Sequence, residues 1–144
     1  MTFYQTEIAR IRKTCYSNEG QIKTVIGTRH YIINNFDTEL NLDLLSHIRF
    51  TSKFHLLRLF KKYYGQTPKQ YLTEKRIEKA KEMIKAGLTV TEACFYVGFE
   101  SPSSFSTLFK SRVGISPAEF KKEQLSQSWF SPGFAISQPK SIER

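Results

Sequence analysis

At 144 residues the chain has room for one domain or two very small ones. Its 40% hydrophobic and 14% aromatic residues suffice for a core, and a net charge of +9 calls for a polyanionic partner. Two cysteines, Cys15 and Cys94, exclude a disulfide scaffold. The absence of an N-terminal apolar h-region or a long apolar run argues against a signal peptide and a membrane span, so the expected location is a reducing cytoplasm.

The expected fold is all-α. Residues 1–19 form a leader with a weak helical pattern over 3–14. A helix over 20–35 follows, expected to pack through Ile22, Ile26 and Ile33, with His30 or Tyr31. A short helix at 42–48 carries Leu42, Leu45 and Ile48 on one side, and a longer one spans 52–63. Residues 68–86 read as a long amphipathic linker helix with Leu72, Ile77, Ala80 and Ile84 or Met83 inside, ended by Gly87. Helices over 89–97, 101–112 and 116–124 complete the set, and 125–144 reads as an irregular tail. The expected domains are thus a first helix-turn-helix subdomain at 20–67, the linker at 68–86 and a second subdomain at 87–124.

The chain repeats itself. "SKFHLLRLFKKYYGQTPKQY" (52–71) lies under "SPSSFSTLFKSRVGISPAEF" (101–120) at an offset of 49 residues. Ser52 meets Ser101, Leu59-Phe60-Lys61 meets Leu108-Phe109-Lys110, Gly65 meets Gly114 and Pro68 meets Pro117. Each glycine falls where a left-handed residue ends a helix. Thr67-Pro68-Lys69-Gln70 and Ser116-Pro117-Ala118-Glu119 each read as an N-cap, a proline at the first helical position and a capping-box acceptor. A third box runs from Thr89 to Glu92. A short helix, a turn and a longer helix therefore occur twice. The second turn contains Gly98; the first has Phe50 and is one residue shorter.

The longer helix of each unit has a core side, Leu56, Leu59 and Phe60 in one and Phe105, Leu108 and Phe109 in the other. The opposite side supplies the candidate DNA contacts: Phe54, Leu57, Arg58 and Lys61 in the first unit, and Pro102, Ser103, Ser104, Ser106, Thr107 and Lys110 in the second. Short hydroxyls allow close approach to base edges, whereas Arg58 offers a bidentate fork for guanine. Lys53, Lys61, Lys62, Lys110 and Arg112 are candidate phosphate contacts. Residues 49–85 hold 11 Lys+Arg against 3 Asp+Glu, so most of the net charge lies around the first unit. A linker of roughly 19 residues spans about 28 Å, near the ~34 Å of one DNA turn.

These residues resemble the DNA-binding region of the AraC/XylS family of bacterial transcription regulators. The resemblance covers about residues 20–124 and is carried most specifically by "VGFES…SSFS…LFK…GISPAEF" and "S…L…LFKK..G.TP..Y…KR…A". It implies a seven-helix, two-lobed fold with the second helix of each lobe in a major groove, and an activator that binds double-stranded DNA. Both groove helices lie in one chain, so a monomer on DNA is expected, with RNA polymerase as a candidate further partner. With Met1 and a leader of its own, the chain is expected to be complete and of the short stand-alone type. Thr107 stands where the family often has Arg, and Leu57 where polar residues are frequent. Those two departures motivate the alternative, a helix-turn-helix protein-interaction module without sequence-specific readout.

No catalytic constellation, cofactor motif or metal site is expected. His47 and His55 have no carboxylate or thiolate at ligand spacing, and no phosphate-cradling glycine loop occurs. Cys94 takes a small inward position that matches Ser46. A basic membrane-surface role is disfavoured because the long basic helix lacks a Trp/Phe-rich apolar face.

Overall fold

The computed structural model describes residues 2–130, with side chains at 2–10 and 19–127. Among these residues there are seven helices and no strand: α1 (Phe3–Asn35), α2 (Leu42–Ile48), α3 (Lys53–Tyr64), α4 (Pro68–Lys85), α5 (Val90–Tyr96), α6 (Pro102–Val113) and α7 (Pro117–Phe130). The fold is all-α, with two helix-turn-helix units, α2–α3 and α5–α6.

Three expectations are corrected. The separate helices expected at 3–14 and 20–35 are one continuous helix, α1. No proline interrupts this stretch, and Gly20 in a helix interior costs only about 1 kcal/mol relative to alanine. Thr2 and Gln5 start α1 with a reciprocal capping box, both bonds 3.2 Å long. The inner face of α1 is also rotated from the expected one. Val25, Thr28 and Ile32 are buried, whereas Ile22 and Ile26 are about two-fifths exposed; Ile33 and Tyr31 pack against the core as expected. The misleading residue is Thr28, a polar side chain on the buried stripe. Its hydroxyl donates to the Thr24 carbonyl at 2.8 Å, which satisfies it inside the helix. Finally, residues 125–130, expected to be irregular, continue α7. No glycine or proline stands before Pro132, so nothing stops the helix that Pro117 starts. The remainder of the expected tail, 131–144, lies outside the described residues.

The described residues form two compact units, divided between Leu72 and Thr73. The division falls inside α4 rather than at its ends. Tyr71 and Leu72 belong to the first core, with Val25, Ile32, Leu45, Leu56, Leu59 and Phe60. Ile77, Ala80 and Ile84 are buried in the second unit, as are Ala93, Cys94, Val97, Phe99, Phe105, Phe109 and Phe120. Ser46 and Cys94 occupy the matched small buried positions of α2 and α5.

Local signals set the ends of the longer helices. Ser52 accepts the His55 amide at 3.2 Å, and Ser101 accepts the Ser104 amide at 3.3 Å. Gly65 and Gly114 close α3 and α6 in left-handed conformations, φ 71° and 99°. Thr67 and Gln70 exchange the two bonds of a capping box at the start of α4, as do Thr89 and Glu92 at α5. The turns inside the two units share one hydrogen-bond pattern. Phe50 and Thr51 donate to His47 and Ser46, and Gly98 and Phe99 donate to Phe95 and Cys94.

Candidate nucleic-acid interface

Because α3 and α6 bury the same stripe, they expose the same stripe. Leu56 and Phe60 are fully buried in α3, and Phe105 and Phe109 in α6. On a 3.6-residue period the opposite side of α3 holds Phe54, His55, Arg58, Lys61 and Lys62, and all five are exposed. The opposite side of α6 holds Ser103, Ser104, Thr107, Lys110 and Ser111, also all exposed. The two sets correspond pairwise at the 49-residue offset. His55 and Ser111 were not among the residues picked from the sequence. The offset itself was the signal for them, since it pairs His55 with Ser104 and Ser111 with Lys62.

The remaining candidates are placed differently. Leu57 and Ser106 are half-buried on the flank of their helices. Leu108, expected in the core, is also half-buried and lines a surface hollow with Ser103, Ser104 and Thr107; its counterpart Leu59 is 4% exposed. Pro102 is exposed at the first position of α6. Lys53 is turned to α2, where its ammonium lies 2.8 Å from Asp43. Arg112 reaches α4 and pairs with Glu74 at 3.4 Å.

The two faces differ in chemistry. That of α3 is cationic, with Arg58, Lys61 and Lys62 and no acidic residue. The Lys62 ammonium also sits 5.3 Å from the centre of the Tyr63 ring. That of α6 presents hydroxyls whose hydrogens are partly engaged. Thr107 donates to the Ser103 carbonyl at 3.0 Å, which leaves its oxygen lone pairs free to accept. Ser101 donates to Ser104 at 3.0 Å, which leaves the Ser104 hydrogen available. Acidic residues on α4 are matched locally, Glu78 with Lys75 and Glu82 with Lys79.

Behind α3, the start of α4 is held by an aromatic and cationic cluster. Arg29 of α1 donates to the Tyr71 hydroxyl at 3.1 Å and lies 5.8 Å from the Tyr64 ring centre. Hydrogen bonding to Tyr71, and then to Tyr64, raises the guanidinium pKa further above its ordinary range. In the second unit, burial pushes the Cys94 thiol pKa up. Among the described residues no group of three or more His, Cys, Asp or Glu is placed to hold a metal ion. No described helix is long and apolar enough to cross a membrane.

Two tandem helix-turn-helix units, each exposing the outer stripe of its second helix, define a helix-turn-helix regulator domain. Residues 45–123 match the model of a helix-turn-helix domain family. The chain is similar to the HTH-type transcriptional activator AarP of Providencia stuartii, with 34% identity over 92 residues that cover 63% of this chain and 68% of AarP. It is similar in structure to the C-terminal domain of AraT, a response regulator from Geobacillus stearothermophilus. There the TM-score is 0.67 at 30% identity, over 69% of this chain and 84% of that one. A probable AraC family transcriptional regulator from Rhodopseudomonas palustris shares the fold, with a TM-score of 0.64 at 20% identity over 71% of this chain and 97% of that one. This chain belongs to the AraC-type helix-turn-helix family. It spans about half the length of the first curated relatives it matches, 55% and 44%.

Proposed function

We propose that this chain is a sequence-specific transcription regulator that binds double-stranded DNA, with α3 and α6 inserted into successive major grooves. The observation that carries this reading is the matched pair of outer stripes. The fold spends the inner side of each helix on its core and leaves the other side exposed, and on α3 that side is cationic. Arg58 is the direct reader, since its guanidinium can take guanine O6 and N7 together. Lys61, Lys62 and Lys110 hold phosphates, which fixes the register of the protein on the duplex. Ser103, Ser104 and Thr107 allow α6 a close approach with little discrimination of their own. Lys53 and Arg112 reach the backbone only by exchanging Asp43 and Glu74 for phosphate.

Both reading helices lie in one polypeptide, so one chain suffices for one asymmetric site, and a two-fold symmetric dimer is not required. The named activators among its relatives favour an activator, for which RNA polymerase is the further partner. Selection of binding sites from a random duplex library, followed by footprinting, tests the reading. An asymmetric site about two major grooves long supports it. A palindrome occupied only by dimers contradicts the one-chain mode. Failure to enrich any sequence favours the protein-interaction alternative.

A further inference from the structure

Phe50 occupies a position where the backbone asks for glycine. Its φ is 52°, the one positive value among non-glycine residues in the described chain. L side chains resist that left-handed conformation because the Cβ crowds the following carbonyl. In the second unit the same step of the turn, with the same hydrogen bond to the residue three before it, is made by Gly98 at φ 99°. The Phe50 side chain returns nothing to the fold in exchange, because the residue is 96% exposed. A strained backbone and a fully solvated ring are both unfavourable in the free protein, so neither the turn nor the core explains a phenylalanine here.

Its location says what the ring is for. Phe50 lies two residues before Ser52, the N-cap of α3, so its Cα is within about 7 Å of that helix start. In a helix-turn-helix this end of the second helix approaches the base edges. Phe54, in the first turn of α3, is a second exposed aromatic at 76%. The cations Arg58 and Lys61 follow on the same helix. An apolar protein partner would meet those charges at a desolvation cost, whereas a duplex meets them with phosphates and offers apolar surface between.

We propose that Phe50 is a DNA-contacting residue of the first unit, its ring packing on apolar surface of the duplex beside the start of α3. That surface is a thymine methyl or the face of a deoxyribose. The proposal rests on the DNA-binding reading above and adds a residue in the turn to the contacts on the helix.

The test sets stability against affinity. Phe50→Gly and Phe50→Asn both accept the left-handed backbone and remove the ring. Each is expected to melt at the wild-type temperature or a few degrees higher. Each is expected to bind the selected duplex on the order of tenfold more weakly. The slope of log affinity against log salt should stay unchanged, because no phosphate charge is involved. Phe50→Tyr, which keeps ring and strain, should bind within about threefold of wild type. Replacing thymines by uracil one at a time separates the two surfaces. If one uracil erases the difference between wild type and Phe50→Gly, the ring sits on that methyl; if none does, it sits on sugar. The proposal is overturned if both ring-free variants bind the selected duplex as tightly as a wild type that discriminates it from random duplex. It is also overturned if their weaker binding comes with a lower melting temperature. A wild type that shows no preference for the selected duplex overturns the DNA-binding reading itself.

Discussion

Phe60 and Tyr71 meet nearly edge-on, ring centres 5.6 Å apart and planes at 72°, and 49 residues later Phe109 and Phe120 repeat the arrangement at 5.5 Å and 66°. Each pair ties the second helix of a helix-turn-helix unit to the helix that follows it across a glycine turn. The edge-to-face geometry adds about 0.5–1.5 kcal/mol beyond the burial of the rings. This repeated clamp fixes how α3 sits against the start of α4 and α6 against α7, and so which side of α3 and of α6 is left exposed.

Removing a clamp should unfold its unit rather than weaken DNA contacts selectively. Phe60→Ala and Phe109→Ala are each expected to cost about 3–5 kcal/mol, since both rings are fully buried. Urea unfolding followed by circular dichroism measures the loss. A cost below about 1 kcal/mol would show that the rings do not anchor the helices.

The two helix-ending glycines should be sensitive for backbone reasons alone. A Cβ built at Gly65 or Gly114 meets no atom within 4 Å, yet φ is 71° and 99°. Gly65→Ala and Gly114→Ala are therefore each expected to destabilise by about 1–2 kcal/mol. Gly20, inside α1 and equally open, should respond with the opposite sign: Gly20→Ala gains about 1 kcal/mol of helix propensity. Thermal melting of the three variants checks both directions.

Much of this fold is legible in the sequence because its punctuation is chemical. Thr67, Thr89, Gly65, Gly114, Pro68 and Pro117 act through caps, left-handed turns and proline starts that depend on a few neighbouring residues. What stayed illegible carried no signal in hydrophobic spacing or in punctuation. Thr28 is buried because its hydroxyl finds a carbonyl one turn back, which hydrophobic spacing does not reveal. Continuous helix through Gly20 reflects the absence of any strong breaker rather than a positive signal. At the candidate interface the exposed stripe follows from periodicity, but the partners of Lys53 and Arg112 do not. Asp43 is ten residues from Lys53 and Glu74 is 38 from Arg112, so only the folded chain brings them together.

Lys61 lies on the outer stripe of α3 and is exposed. Lys61→Ala should weaken binding to all duplexes about equally and lower the salt slope by about 1. Titrations at several salt concentrations measure it. An unchanged slope would mean that Lys61 stays solvated on DNA.

Arg58 and Thr107 occupy matched positions with unequal capacity. Arg58→Ala should cost about 1–3 kcal/mol on the best site, much less on random DNA, and relax preference at one or two base pairs. Thr107→Ala should cost less and change preference little, because its hydroxyl hydrogen already serves the Ser103 carbonyl. Binding of both variants to every single-base mutant of the selected site separates these outcomes. The steepest preferences lying under α6 would reverse the assigned division of labour.

The most direct test of the central claim is equilibrium binding of the whole chain, near physiological salt, to the selected duplex and to a scrambled duplex of the same length and composition. A sequence-specific regulator should favour the selected duplex by about 10³-fold or more. Equal affinity for the two duplexes would contradict the claim and leave the exposed stripes of α3 and α6 as surfaces for another kind of partner.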